Sequence, residues 1–123
     1  MAVTKTTTTT ALAGTLVVDL DADATIEDNV TGNTSGSIYL VDVDNTANTS
    51  AAVYLRIADA SSVANVSVDH TWLFHVLAGR RMSYVMHAGI AYSAGVTMWC
   101  TTDPASGNGT SPSSAVVVRI VAS

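Results

Sequence analysis

The segment Val53-Tyr54-Leu55-Arg56-Ile57 decides the fold, because aliphatic side chains occupy every second position in it. A period of two is typical of a β-strand that faces a core on one side. Short apolar, β-branched runs of this kind recur from Leu16 to Val121, separated by Gly, Asn, Ser and Asp. These separators favour turns, and no stretch has the spacing of an amphipathic helix. The sequence therefore predicts an all-β domain.

The strand candidates lie at intervals typical of a β-sandwich or a jelly roll. They predict a single domain of roughly seven to nine short antiparallel strands. This β-sandwich domain covers residues 15–123, and an extended Thr-rich N-terminal arm covers residues 1–14. The run Val116-Val117-Val118 predicts a central strand, whereas Gly89 predicts the end of one. The candidate strands are residues 16–20, 38–43, 53–57, 61–69, 71–77, 82–88, 96–101 and 115–121.

Composition narrows the class of function. The chain has 123 residues, of which 48% are apolar and only 12% are charged, and its net charge is −5. So few charges leave much neutral surface, which indicates contacts with other protein subunits. Nucleic acid is not an expected partner, because its binding requires clustered cations. A membrane is not expected either, because no apolar stretch approaches the roughly 18 residues of a spanning helix.

Residues 71–77 are apolar on both faces of the predicted strand. Trp72 and Phe74 point to one side and Leu73 to the other, so both sides require a cover. The second cover is either a partner subunit or an internal loop or terminal arm. Trp72, Leu73 and Phe74 are therefore predicted interaction residues.

The N-terminus contains an unbroken threonine run. Threonine favours extended backbone, but the run has no apolar side chain that could order it alone. It is either a frayed tail or an arm that becomes ordered on a neighbouring subunit. In the second case the interacting residues are Thr6, Thr7, Thr8, Thr9 and Thr10.

The acidic series Asp19, Asp21 and Asp23 is the one candidate metal site. On a strand all three carboxylates would share a face, where a Ca²⁺ ion could relieve their repulsion. The alternative is a solvated strand edge that discourages aggregation. No other cofactor is expected.

No residue pattern predicts catalysis. Cys100 shares a face with Val96 and Met98 and is expected to be a small core residue, and no G-x-S-x-G motif occurs. We therefore expect no enzyme and assign no catalytic residue. Trp99 points away from that face, so it is the best candidate for stacking on a sugar ring, with burial in the core or an interface as the alternative.

Four segments of the C-terminal two-thirds of the chain, roughly residues 38–122, form a recognisable series. They are residues 53–57, Val76-Leu77-Ala78-Gly79, Gly89-Ile90-Ala91-Tyr92-Ser93-Ala94-Gly95-Val96 and Thr101-Thr102. In strand order and turn placement this series resembles small tailed-phage virion proteins. These are the capsid decoration (cement) proteins and related head or tail accessory β-domains.

This resemblance implies a non-enzymatic virion protein with a β-sandwich or jelly-roll fold. Such proteins are often trimeric, lie on the capsid exterior after assembly in the host cytoplasm, and clamp adjacent major capsid subunits, frequently with a terminal arm. The expected partners are therefore the major capsid protein and further copies of this chain. Two alternatives stay open: a phage tail, baseplate or head-fibre accessory module, and a carbohydrate-binding β-sandwich module.

Overall fold

The computed structural model describes residues 3–7, 14–105, 107 and 109–123, and these residues form eight β-strands and no helix. The predicted all-β fold is therefore confirmed. In the described part of the chain no helix is long and apolar enough to cross a membrane. The strands are β1 (Val3–Thr7), β2 (Thr15–Ala22), β3 (Gly36–Asp44), β4 (Val53–Ala58), β5 (Trp72–Val76), β6 (Arg81–Tyr92), β7 (Thr97–Thr101) and β8 (Val116–Ala122).

The strands form two antiparallel sheets. The larger has the order β1-β2-β8-β3-β6 and the smaller the order β5-β4-β7. Buried apolar side chains from both sheets belong to one cluster, so the sheets pack face to face as a sandwich. The Val116-Val117-Val118 run lies in β8, which is the central strand of the larger sheet, as its sequence predicted.

Alternation along the strands builds this core. In β4 the side chains of Val53, Leu55 and Ile57 are completely buried in the cluster. In β8 every second residue, from Val116 to Ala122, is buried, and the residues between them are partly exposed. The period-two pattern of the sequence therefore corresponds to the inner face of the sandwich.

Strand pairing is nested along the chain. β2 pairs with β8, Glu27 forms a bridge with Met98 of β7, β3 pairs with β6, and β4 pairs with β5. Early segments therefore meet late ones, and the middle of the chain folds back on itself. As a consequence, β5 and β6 lie at one side of the sandwich, while β1, β2 and Glu27 lie at the other.

Two local expectations were wrong. Residues 61–69 form bends and turns instead of a strand, with Val68 N donating to Asn65 O. Gly89 does not end a strand, because β6 continues to Tyr92. A register shift opposite it, between Ile38 and Leu40, marks an irregularity of the β-bulge type. Gly89 has a φ of 77°, and a Cβ there would lie 2.8 Å from the Cβ of Ser37, so this position requires glycine.

The first strand belongs to the segment that the sequence predicted to be an arm. β1 pairs with β2 from Val3 opposite Asp19 to Thr7 opposite Thr15, and it forms an edge of the larger sheet. Of the five predicted interaction threonines, Thr6 and Thr7 lie in β1. The other three, Thr8, Thr9 and Thr10, lie outside the described residues.

Candidate interaction surface

The outer side of β5 is open. Phe74 and Val76 point into the core, whereas Leu73 and Leu77 are 37% and 59% exposed. His75, between them, is also exposed. Trp72 is half-buried and packs against the core cluster. Of the three predicted interaction residues, Leu73 therefore has the most accessible side chain, and the second face of this strand has no complete cover within the described residues.

A cleft of about 340 Å³ opens where the edges of the two sheets meet. Tyr84, on β6, donates a hydrogen bond from its hydroxyl to the backbone carbonyl of His75, on β5, at 2.6 Å. The His75 ring stacks on Tyr54 at 4.7 Å between centroids, and the Tyr84 ring meets Phe74 edge-on at 5.2 Å. The cleft is lined by His75, Leu77, Arg80, Met82 and Tyr84.

We call this region the open edge and define it as the cleft residues together with Leu73 and Val85. Both of its strands are terminal in their sheets: among the described residues β5 pairs only with β4, and β6 only with β3. Met82 and Val85 are, like Leu73 and Leu77, exposed large apolar side chains. Exposed apolar side chains beside unpaired strand edges are typical of a protein-binding surface.

The open edge carries only positive or neutral side chains. Residues 71–93 contain two arginines, two histidines and no Asp or Glu. Arg80 is exposed, whereas the Nε of Arg81 forms an ion pair with the buried Asp42 at 3.0 Å. Ser83 Oγ also donates a hydrogen bond to that carboxylate, at 2.5 Å. Arg80 is therefore the cation most available to a partner.

The structure places the three aspartates of the acidic series in different environments. Asp19 is 1% exposed, its Oδ1 accepts a hydrogen bond from the backbone N of Asp21, and its Oδ2 has no partner among the described residues. Asp21 is exposed, and Asp23 accepts from the backbone N of Thr25. Burial and the neighbouring carboxylates raise the pKa of Asp19 to about 6.

A calcium site does not assemble from these three residues. No group of three or more potential ligand side chains comes together in the described part of the chain. Ca²⁺ takes six to eight oxygen ligands in proteins, so a single exposed carboxylate beside a buried one is a poor site.

Trp99 cannot offer its ring to a sugar, because only 1% of it is exposed. The sequence placed it correctly on the outer face of its strand, where it lies opposite Arg56 of β4. On the same face a loop that is distant from β4 in sequence contacts Arg56, whose Nη2 donates to the carbonyls of Asp103 and Ala105. Burial lowers the pKa of Arg56 although Asp103 opposes this shift.

Cys100 is a completely buried free thiol, as expected for a core residue. Burial and the nearby carboxylates of Asp19 and Asp23 raise its pKa to about 12. The side chain therefore stays a thiol at neutral pH and is a poor nucleophile.

Sequence reasoning missed a buried asparagine pair. Asn48 donates to the Oδ1 of Asn45 at 2.9 Å and to the carbonyl of Ser114 at 3.0 Å. The amide of Asn45 donates to the carbonyls of Ala51 and Leu77. Together the two residues connect three loops, and one of these leads into the open edge. Only the Asn-rich composition of this loop could have indicated such a network.

Asp59 forms a second missed network. Its carboxylate accepts hydrogen bonds from the backbone N atoms of Ser93, Ala94 and Gly95 at 3.0, 2.8 and 3.4 Å. Desolvation acts to raise the pKa of Asp59, but these three donors and the Ser93 hydroxyl outweigh it and lower the pKa. The carboxylate thus closes the turn between β6 and β7.

No protein-family model matches this chain, and comparisons with curated proteins and with solved structures give no significant match.

Proposed function

We propose that this chain is a non-enzymatic virion structural protein, a phage capsid decoration protein. In this proposal it binds the outer surface of the head, associates with copies of itself as a homotrimer, and stabilises contacts between major capsid subunits. The single observation that carries the proposal is the open edge. A small chain that leaves apolar side chains on two strands, each with one unpaired edge, is suited to binding proteins.

The strand connections support a jelly roll in particular. A jelly roll is a two-sheet fold of eight strands built from Greek keys, and it is common in viral capsid domains. This fold arises when the chain pairs with itself as one long antiparallel hairpin that then folds into two sheets. The nested pairing observed here has that order: β2 with β8, Glu27 with β7, β3 with β6 and β4 with β5.

The burial of two side chains that could otherwise react with or bind a substrate is consistent with a structural role. The thiol of Cys100 is protonated and enclosed, and the Trp99 ring is covered. Neither side chain is accessible to a substrate. Repeated weak contacts around a shell would instead give strong attachment through avidity.

Cryo-electron microscopy of particles made with and without this gene tests the proposal. We expect a density for a 12.7 kDa chain on the outer head surface, absent when the gene is deleted. Heads without the chain should break at lower temperature. Purified particles that lack the chain, or that carry it only on the tail, would contradict the proposal.

The N-terminal segment offers a second test. We expect a deletion of residues 1–14 to fold, because the core cluster is built from residues 17–122, and of the β1 side chains that the structure describes Val3 alone packs partly against it. The deletion should lower capsid occupancy if the threonine run contacts a neighbouring subunit. Removal of residues 1 and 2 alone is the control, since it leaves β1 whole. Equal occupancy of both deletions would exclude the arm.

A further inference from the structure

One segment on the side of the sandwich opposite the open edge is strongly acidic. Residues 19–28 contain five of the ten acidic residues of the chain and no Lys or Arg. The segment runs from the end of β2 to the bridge between Glu27 and Met98, so it lies across the molecule from β5 and β6. We call its outward side chains the acidic edge: Leu20, Asp21, Asp23, Glu27 and Asp28.

The acidic edge also carries an apolar projection. Leu20 is 51% exposed although it sits between two aspartates, and it is one of six large apolar side chains that are exposed in the described residues. Four of the other five, Leu73, Leu77, Met82 and Val85, belong to the open edge. The open edge and the acidic edge together thus hold five of the six exposed large apolar side chains.

The edges complement each other in charge. The open edge has a cleft with Arg80 in its wall, and the acidic edge has a leucine followed by the exposed Asp21. Carboxylates are crowded along this edge: burial, with repulsion from Asp23 and Asp28, raises the pKa of Glu27. A cation from outside would relieve that repulsion. Two open edges facing each other would instead bring like charges together.

We propose that the acidic edge of one copy docks on the open edge of a second copy, with Leu20 in the cleft and Asp21 beside Arg80. This contact uses two different surfaces, so it is heterologous and closes into a ring when the rotation between copies permits. The inference rests on the self-association part of the proposed function and assigns the surfaces that produce it.

The experiment uses complementary variants of the purified full chain, studied by sedimentation velocity and native mass spectrometry without any capsid. Leu20→Asp damages the acidic edge and Leu77→Asp the open edge. Val68→Asp is the matched control, since Val68 is exposed but belongs to neither edge. Circular dichroism and thermal melting check that each variant folds.

The expected pattern is specific to a head-to-tail contact. The wild type and Val68→Asp form a discrete oligomer, each edge variant alone is monomeric, and a mixture of Leu20→Asp with Leu77→Asp forms a heterodimer through the one intact interface. Tenfold or greater weakening is expected for each edge variant. If an edge variant fails to fold, Asp21→Arg with Arg80→Asp replaces it: each alone weakens association, and the double variant restores it.

Other patterns would overturn the inference. A monomeric wild type at 100 micromolar (a concentration chosen for the assay) excludes the contact while leaving capsid binding to be decided by imaging. Oligomers in the Leu20→Asp sample, together with monomers in the Leu77→Asp sample, would indicate that two open edges pair. Capsid occupancy without self-association would contradict this inference and leave attachment to the head intact, so the two failures are distinguishable.

Discussion

Tyr84 and His75 join the two sheets at the mouth of the cleft. The Tyr84 hydroxyl donates to the His75 carbonyl at 2.6 Å, so a side chain of one edge strand satisfies a backbone acceptor of the other. The same tyrosine ring lies edge-on to Phe74, which belongs to the core. Tyr84 therefore connects the wall of the cleft to the core.

Replacing Tyr84 separates these two contacts. Tyr84→Phe removes the hydrogen bond and retains the ring, so we expect a loss of about 1 kcal/mol in the free energy of unfolding. Tyr84→Ala also removes the ring contact and should cost clearly more. Urea denaturation followed by tryptophan fluorescence measures both. Equal losses for the two variants would show that the ring contributes nothing.

Substitution in the buried asparagine pair should lower the free energy of unfolding more than is usual for a loop residue. Asn48→Ala leaves Asn45 Oδ1 and the backbone N and O of Ser114 without their partner. Asn45 is completely buried, so its Oδ1 would be left unsatisfied, whereas Ser114 is exposed and its backbone groups can bond to water; we therefore expect a loss of about 1–3 kcal/mol. Asn33→Ala is the control, because Asn33 is exposed and should change stability by less than about 0.5 kcal/mol. Similar melting temperatures for both variants would contradict the network.

Asp19 should make stability depend on pH. Its pKa is about 6 in the folded chain and 3.8 in the reference state, so between these values the folded state binds more protons. Its contribution therefore falls as pH rises through this window and is least favourable above pH 6. The advantage of Asp19→Asn over the wild type should grow from pH 4 to pH 7 and then level off, with an upper limit of about 3 kcal/mol.

Thermal melts at several pH values measure this difference directly. His70 acts in the opposite direction, because burial, with repulsion from Arg56, lowers its pKa. Subtracting the wild-type curve from the variant curve removes the His70 contribution. Asp21→Asn is the control, since the side chain of Asp21 is exposed. In this variant the dependence of stability on pH that Asp19 causes should remain. A constant difference between Asp19→Asn and the wild type at all pH values would be contrary to a buried, ionisable Asp19.

The sequence predicts which side chains form the inner face of the sandwich, but it does not predict which loops cover the outer faces of the strands. Val53, Leu55 and Ile57 follow the period of two because the core requires one side of the strand to be apolar. Arg56 lies between them in sequence and would be expected in solvent, yet it is completely buried. Its cover comes from residues 103–105, and such a long-range contact leaves no local signal in the sequence.

The same distinction applies to the candidate surface. The apolar outer side of residues 71–77 was visible in the sequence, including Leu73 and Leu77. This outer side forms one cleft together with residues of β6, because the edges of the two sheets meet there. No local sequence pattern encodes that meeting. The acidic series was also visible, but Asp19 continues the inward alternation of Val17, and a register shift between Asp19 and Ala22 leaves Asp21 exposed while Ala22 is buried.

The two tryptophans provide a final comparison between sequence and structure. Trp72, a predicted interaction residue, is half-buried, whereas Trp99 is enclosed beside Arg56. We expect Trp99→Ala to cost about 3–5 kcal/mol, because it leaves a cavity beside a buried charge, and Trp72→Ala to cost about half as much. Chemical denaturation of both variants measures the ranking. If Trp72→Ala proves the more destabilising in the isolated monomer, the enclosure of Trp99 does not make it the more important of the two tryptophans for stability.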